Sequence, residues 1–268
     1  MAWHFEVASH IGARPEQQDR AAVLTTPDGS TSLAVLADGL GGHQDGAAAA
    51  QTVLDVARRQ LAEAAVHDPQ AFLTELCGRA HQAITELGRD RRSNPASTCV
   101  LLLVRDNEAY WVHVGDSRLY HFRRAKLLSQ TTDHSVAAFS CEDRDGRLAA
   151  AAAGTADNQL YMCLGGQNAL LPEFGAAAVD EGDWFLLCSD GLWSQVAPGE
   201  ASRTFVESGG DPATAAQLAQ LAARRGGSHS DNVSLVLAAN YSNSGASRWR
   251  QVRRLFSFLR PSSTASRP

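Results

Sequence analysis

Cysteine is scarce in this 268-residue chain and irregularly placed. The five cysteines stand at 77, 99, 141, 163 and 188, and no Cys-x-x-Cys pair occurs. That spacing excludes a cysteine-based zinc site and a disulfide framework. Cys99 and Cys188 fall inside apolar runs, so they read as small core hydrophobes of a reduced, cytoplasmic protein. Long hydrophobic runs are also missing. Nothing approaches the ~18 apolar residues of a membrane span. Residues 1–10 lack a basic stretch followed by an apolar one, so no signal peptide is expected. Positive charge is short: 24 Lys and Arg stand against 29 Asp and Glu, a net of -5. Nucleic acid is therefore not the expected partner. With 44% hydrophobic and 20% charged residues the composition is that of a folded chain, not a disordered one.

Charge is unevenly divided. The last stretch, 240–268, carries six arginines (248, 250, 253, 254, 260 and 267) and no acid. That leaves 18 basic and 29 acidic residues in 1–239, a net of -11. An acidic domain over 1–239 with a basic tail over 240–268 is expected. In the tail, Trp249, Val252, Phe256 and Leu259 share one helical face among arginines. Such a segment suits an anionic membrane surface or a protein partner, so a peripheral contact at the inner membrane through 248–260 is one expectation. A flexible extension without function is the other.

The body reads as strands and paired helices. Short β-branched and aromatic runs cover 3–9, 21–26, 32–37, 98–104, 109–114, 117–121, 184–189 and 233–239. The runs at 98–104 and 109–114 are joined by a short polar turn, which predicts a hairpin. Helical spacing marks 44–66, 69–87 and 212–225. Strand and helix do not alternate, so a doubly wound sheet fits poorly. The pattern predicts an α+β sandwich with helices on its outer faces.

Acidic residues collect at the ends of these strands. Val35-Leu36-Ala37 runs into Asp38-Gly39-Leu40-Gly41-Gly42-His43, and Leu186-Leu187-Cys188-Ser189 runs into Asp190-Gly191-Leu192-Trp193. Asp116 follows Val112-His113-Val114-Gly115, Asp19 opens the second strand, and Asp231-Asn232 opens the last. One Asp-Gly alone is more readily a turn than a ligand. Five strand-end aspartates are another matter, because a buried carboxylate is costly unless paired or bound to a cation. Hard oxygen ligands suit magnesium or manganese, and two such ions side by side suit an in-line attack on phosphorus.

The ordered set Gly12-x-Arg14-x4-Asp19, Asp38-Gly39-x-Gly41-Gly42-His43, Gly115-Asp116-Ser117-Arg118, Ser189-Asp190-Gly191-Leu192-Trp193 and Asp231-Asn232 resembles the metal-dependent serine/threonine protein phosphatases of the PP2C (PPM) family, bacterial branch. The likeness covers residues 1–239. It implies a four-layer α/β/β/α sandwich, two antiparallel sheets flanked by helix pairs. It implies hydrolysis of phosphoserine and phosphothreonine in proteins by direct attack of a metal-bridging hydroxide, with no phosphoenzyme. The absence of a Cys-x5-Arg loop agrees. By position, Asp38, Asp190 and Asp231 would ligate two core Mn2+ or Mg2+ ions with the Gly39 carbonyl. Asp19 would act through water, and Asp116 with Asp190 would hold a weaker third ion. Arg14 would clamp the phosphate. His43 would protonate the leaving oxygen. Thr98 would support the cluster from beside it. His113 reads as structural, Trp193 as packing behind Asp190, and His134 as part of a short helix started by Thr132 or Asp133.

The resemblance further implies a cytoplasmic monomer acting on targets of a bacterial serine/threonine kinase. The stretch 140–163 departs from the family pattern and would be the flap that shapes substrate choice. Two other readings stay open: a non-catalytic phosphopeptide- or metal-binding module on the same fold, and a phosphatase of small phosphorylated molecules.

Overall fold

The computed structural model describes residues 2–40, 44–63, 65–136, 159–167 and 169–241. His43, the stretch 137–158 and the basic tail lie outside these residues, so the readings placed on them have no structural counterpart here.

Two antiparallel five-stranded sheets form the centre. In the first, β1 (Ala2–His10) pairs with β12 (Val233–Tyr241), then come β11 (Asp183–Cys188), β8 (Arg118–Arg123) and β9 (Lys126–Gln130). In the second the order is β10 (Glu173–Ala178), β7 (Glu108–Val114), β6 (Cys99–Arg105), β3 (Thr31–Ala37) and β2 (Arg20–Thr25). A two-residue ribbon joins β4 (Gly39–Leu40) to β5 (Ala96–Ser97). The expected hairpin is present: β6 pairs with β7, and Asp106 turns it in the left-handed region at φ 52°.

Strand periodicity places the layers. In β3, Leu33, Val35 and Ala37 face one side while Ala34 and Leu36 face the other sheet. In β11, Trp184, Leu186 and Cys188 face outward, and Phe185 and Leu187 face the partner sheet. Both faces are covered, so these strands read as unbroken apolar runs instead of alternating ones.

Helices cover the outer faces, completing the four expected layers. Against the second sheet lie α1 (Gln44–Glu63) and α2 (Pro69–Arg91). Asp68 caps α2 by accepting from the Ala71 N–H at 3.1 Å, Pro69 occupies its first turn, and Arg92 ends it at φ 56°. Its Phe72, Leu73, Leu76 and Ile84 are buried, each contributing about 1.5–3 kcal/mol. Against the first sheet lie α4 (Pro198–Ser208) and α5 (Thr214–Gly226), preceded by the single turn α3 (Asp190–Trp193). Phe205 of α4 stacks on Trp184 with ring centroids 4.2 Å apart.

Several elements were not anticipated from sequence, among them β9, β10, α3 and α4. Every residue of β9 is exposed, so its side chains carry no alternation. Small residues dominate β10, and Gly175 lies so close to the Trp111 indole that a Cβ would come within 2.3 Å. The short α3 and α4 hold too few apolar residues to show a period. The expected helix started by Thr132 or Asp133 is also absent. Residues 131–134 belong to no helix, and the Asp133 carboxylate pairs with Arg118 instead of capping one. Among the described residues no helix is long and apolar enough to cross a membrane.

Candidate metal and phosphate site

The five strand-end aspartates meet at one end of the sandwich. Register explains why. Arg20 of β2 pairs with Ala37 of β3, which sets Asp19 beside Asp38. Cys188 of β11 pairs with Leu235 of β12, and the Ser189 N–H donates to the Ser234 carbonyl at 3.0 Å, so Asp190 and Asp231 leave neighbouring strands together. Asp116 arrives from the β7–β8 turn.

Burial first, and neighbouring negative charge second, raise the carboxyl groups of four of them. Burial pushes the Asp38 carboxyl well above its ordinary 3.8, and the charges of Asp19, Asp190 and Asp116 push it further. Burial, then Asp116, Asp231 and Asp19, raises Asp190 to about 7. Burial and Asp133 raise Asp116 to about 6. Asp19 is raised to about 6 by burial and by Asp231, against the opposing hydrogen bond from Ser189. Its Oδ2 accepts from Ser189 Oγ at 2.8 Å, while its buried Oδ1 has no hydrogen-bond partner among the described residues. A buried oxygen without a donor, inside a set of carboxylates that repel one another, is what a divalent cation corrects. The donor set therefore fits Mn2+ or Mg2+.

Arg14 stands at the exposed rim. Its Nη2 donates to Asp231 Oδ2 at 2.6 Å, and the side chain remains 56% exposed. Gly12 shapes this loop: its φ is +66°, and a Cβ there would lie 2.1 Å from the Asp231 carbonyl oxygen. Asn232 ties the loop down. It accepts from the Gln18 N–H at 2.8 Å and donates to the Ile11 and Glu16 carbonyls at 2.8 and 3.0 Å.

Supporting contacts fix the carboxylates. Thr98 Oγ1 accepts from the Asp38 N–H at 2.9 Å and shares a 2.7 Å bond with Ser117 Oγ. The Thr98 N–H donates to the Asp38 carbonyl at 2.9 Å, as does Ser97 Oγ at 3.0 Å. Trp193 packs against the core beside Asp190, as expected, and makes polar contacts besides. It is half-buried, its indole N–H donates to the Asp116 carbonyl at 2.9 Å, and its ring carries the Arg118 guanidinium 3.6 Å from the centroid. Arg118 in turn makes a bidentate pair with Asp133 at 2.8 and 2.7 Å. Gly39, expected as a backbone ligand, is buried in β4 and pairs with Ser97. His43 lies outside the described residues.

Ser117, Ser189 and Asn232 stand in the sequence motifs, but sequence reasoning assigned no role to them or to Ser97. Each is a short polar residue beside a strand-end aspartate or its support, which is the only local mark they carry. The Arg118–Asp133 pair leaves no local mark at all.

The chain matches the family model described as Protein phosphatase 2C over residues 8–224. Protein phosphatase PhpP of Streptococcus pneumoniae is 29% identical over 191 residues, covering 70% of this chain and 77% of that one. Among solved structures, PppA, described as a key regulatory component of the type VI secretion system in Pseudomonas aeruginosa, aligns with a TM-score of 0.74 at 28% identity. The alignment covers 89% of this chain and 98% of that one. The catalytic domain of the serine/threonine protein phosphatase PstP, in complex with two manganese ions, aligns with a TM-score of 0.74 at 26% identity over 90% and 99% of the two chains.

Proposed function

The chain belongs to the protein phosphatase 2C family, and on that premise we propose that it hydrolyses phosphoserine and phosphothreonine in proteins with the help of divalent metal. The observation that carries this reading is the convergence of Asp19, Asp38, Asp116, Asp190 and Asp231 beside an exposed arginine.

Asp38, Asp190 and Asp231 would hold two core Mn2+ or Mg2+ ions with the Gly39 carbonyl. Asp19 would join them through water, and Asp116 with Asp190 would hold a weaker third ion. Bound there, the ions supply water activation near neutral pH and charge neutralisation at phosphorus.

The chain's own residues do the rest. Thr98 and Ser97 hold the Asp38 backbone by both its N–H and its carbonyl, so the Asp38 carboxylate is fixed before substrate arrives. Arg14 presents a planar fork of donors suited to two phosphate oxygens. To do so it exchanges Asp231 for phosphate. Both partners are exposed, so giving up the pair costs only about 0–1 kcal/mol. A rim position lets Arg14 meet a phosphate carried on a protein surface. His43 is assigned the proton donated to the departing seryl or threonyl oxygen.

Phosphate release should be compared for a phosphothreonine peptide, a phosphotyrosine peptide and an aryl phosphate. The expected order places the phosphothreonine peptide first in kcat/KM. Turnover of the aryl phosphate alone would indicate a small-molecule phosphatase. Metal binding without any release would indicate a binding module.

A further inference from the structure

His113 sits on β7 with no exposed surface, and both its ring nitrogens face oxygen. Nε2 lies 3.0 Å from the Gly115 carbonyl. Nδ1 lies 3.3 Å from Oε2 of Glu173, its register partner on β10, within ion-pair range for a protonated ring, and makes no hydrogen bond among the described residues. The next imidazole, His134, packs 4.3 Å away, centroid to centroid. It grips the same peptide. The Gly115 N–H donates to His134 Nδ1 at 3.1 Å, and the His134 N–H donates to the Gly115 carbonyl at 2.8 Å. Gly115 has φ +103°, and a Cβ there would lie 2.7 Å from Thr98 Cγ2. The turn that presents Asp116 is thus hung on two histidines.

Counting protons separates their roles. The Gly115 N–H needs a lone pair on His134 Nδ1, so His134 is the neutral ring with its proton on Nε2. Burial and the charge of His113 agree, pushing His134 down to about 4. His113 meets only acceptors, a carbonyl on one side and a carboxylate on the other. A neutral ring would turn one lone pair against oxygen.

We propose that Glu173 is a positioning residue for the active site: it holds His113 as the imidazolium, and His113 thereby fixes the Gly115 carbonyl and the Asp116 carboxylate one residue on. This rests on the function proposed above for Asp116. The ionisable groups acting on His113 are Glu173 from β10, His134 from the segment after β9 and Asp116 from its own turn. His113 in turn holds the Glu173 carboxyl below its ordinary range. Glu173 is 47% exposed while the His113 side chain is 0% exposed, so protons reach the pair from the Glu173 side.

One ligand atom each from His113, His134 and Glu173 lie within 4.8 Å of one another, which invites a metal instead. The hydrogen bonds argue otherwise. A bound His134 would need the lone pair that Gly115 already uses, or a proton on the nitrogen facing the Gly115 N–H.

Imidazole nitrogen NMR on the metal-free protein near neutral pH reads the ring directly. Wild type should show N–H at both nitrogens of His113, and Glu173→Gln should show one. In manganese titrations, Glu173→Gln should weaken the loosest ion by about tenfold, the usual loss when a group orienting a ligand is removed, while leaving the core ions unchanged. Glu173→Asp should restore part of it. A neutral His113 in wild type overturns the proposal, and that spectrum needs no folded variant. So does an unchanged loose ion in Glu173→Gln. One equivalent of zinc retained by wild type and lost from Glu173→Gln overturns it in favour of a metal site. Loss of the phosphatase reading would appear separately, as a wild type that releases no phosphate while its ring spectrum stands.

Discussion

Arg14 Nη2 and Asp231 Oδ2 lie 2.6 Å apart, so the candidate phosphate clamp and a candidate metal ligand, 217 positions apart in sequence, share one hydrogen bond. The pair joins the two halves of the proposed chemistry. On the proposed reading, a cation that took Asp231 would free Arg14 toward substrate.

Replacing Arg14 with alanine should therefore affect catalysis and spare the fold. The exposed pair is worth about 0–1 kcal/mol of stability. Losing a charge-assisted contact to phosphate should lower kcat/KM by roughly ten- to a hundredfold, about 1.4–2.7 kcal/mol. Steady-state kinetics on a phosphothreonine peptide, beside a thermal melt, checks both. An unchanged kcat/KM would remove Arg14 from the site.

Thr98→Val should act in the opposite way, through the fold. The fully buried hydroxyl accepts the Asp38 N–H and bonds Ser117. Its loss leaves buried partners unpaired and should cost about 1–3 kcal/mol in urea unfolding. Manganese affinity should fall with it, because Asp38 loses a fixed backbone. A stable variant with intact affinity would show that Ser97 alone holds the strand end.

Stability of the metal-free protein should fall as pH rises through the acid range. Asp19 and Asp116 are raised to about 6 and Asp190 to about 7, from 3.8. Between those values the folded state holds more protons than the unfolded one, so removing protons favours unfolding. Urea midpoints in chelator should drop between pH ~4 and ~7. Added manganese should flatten or reverse that slope. A midpoint that rises across this window in chelator would mean that burial and neighbouring charge do not raise these carboxylates.

Much of this site is legible in the sequence because each aspartate sits at a strand boundary. One Asp-Gly after an apolar run is a common turn, but five aspartates gathered at strand boundaries are not. The sandwich is legible for a related reason. The strands of its core are apolar on both faces, and α1 and α2 carry long periodic stripes. What could not be read depends on register. His113 and Glu173 are partners only because β10 pairs with β7, and β10 itself, rich in alanine, gives no strand signal. The Trp193–Asp116 bond and the Arg118–Asp133 pair likewise arise from the folded chain, with no local pattern to announce them. His43, the stretch 137–158 and the arginine-rich tail fall outside the described residues.

Asp190→Asn should raise the stability of the metal-free protein, since it removes one charge from a repelling set. A gain of about 1 kcal/mol corresponds to roughly 2–4 °C for a chain of this size. The same variant should lose the further stabilisation that manganese gives wild type. A melt in chelator and in manganese shows both. A lower melting temperature in chelator would mean that Asp190 is held by attraction instead.

The most direct test is phosphate release from a phosphothreonine peptide by wild type and by Asp190→Asn, each with manganese and with chelator. Release by wild type in manganese alone, absent in chelator and absent from the variant, is the expected result. Release that persists in chelator, or in the variant, would contradict the assignment of these carboxylates to a metal-dependent phosphatase site.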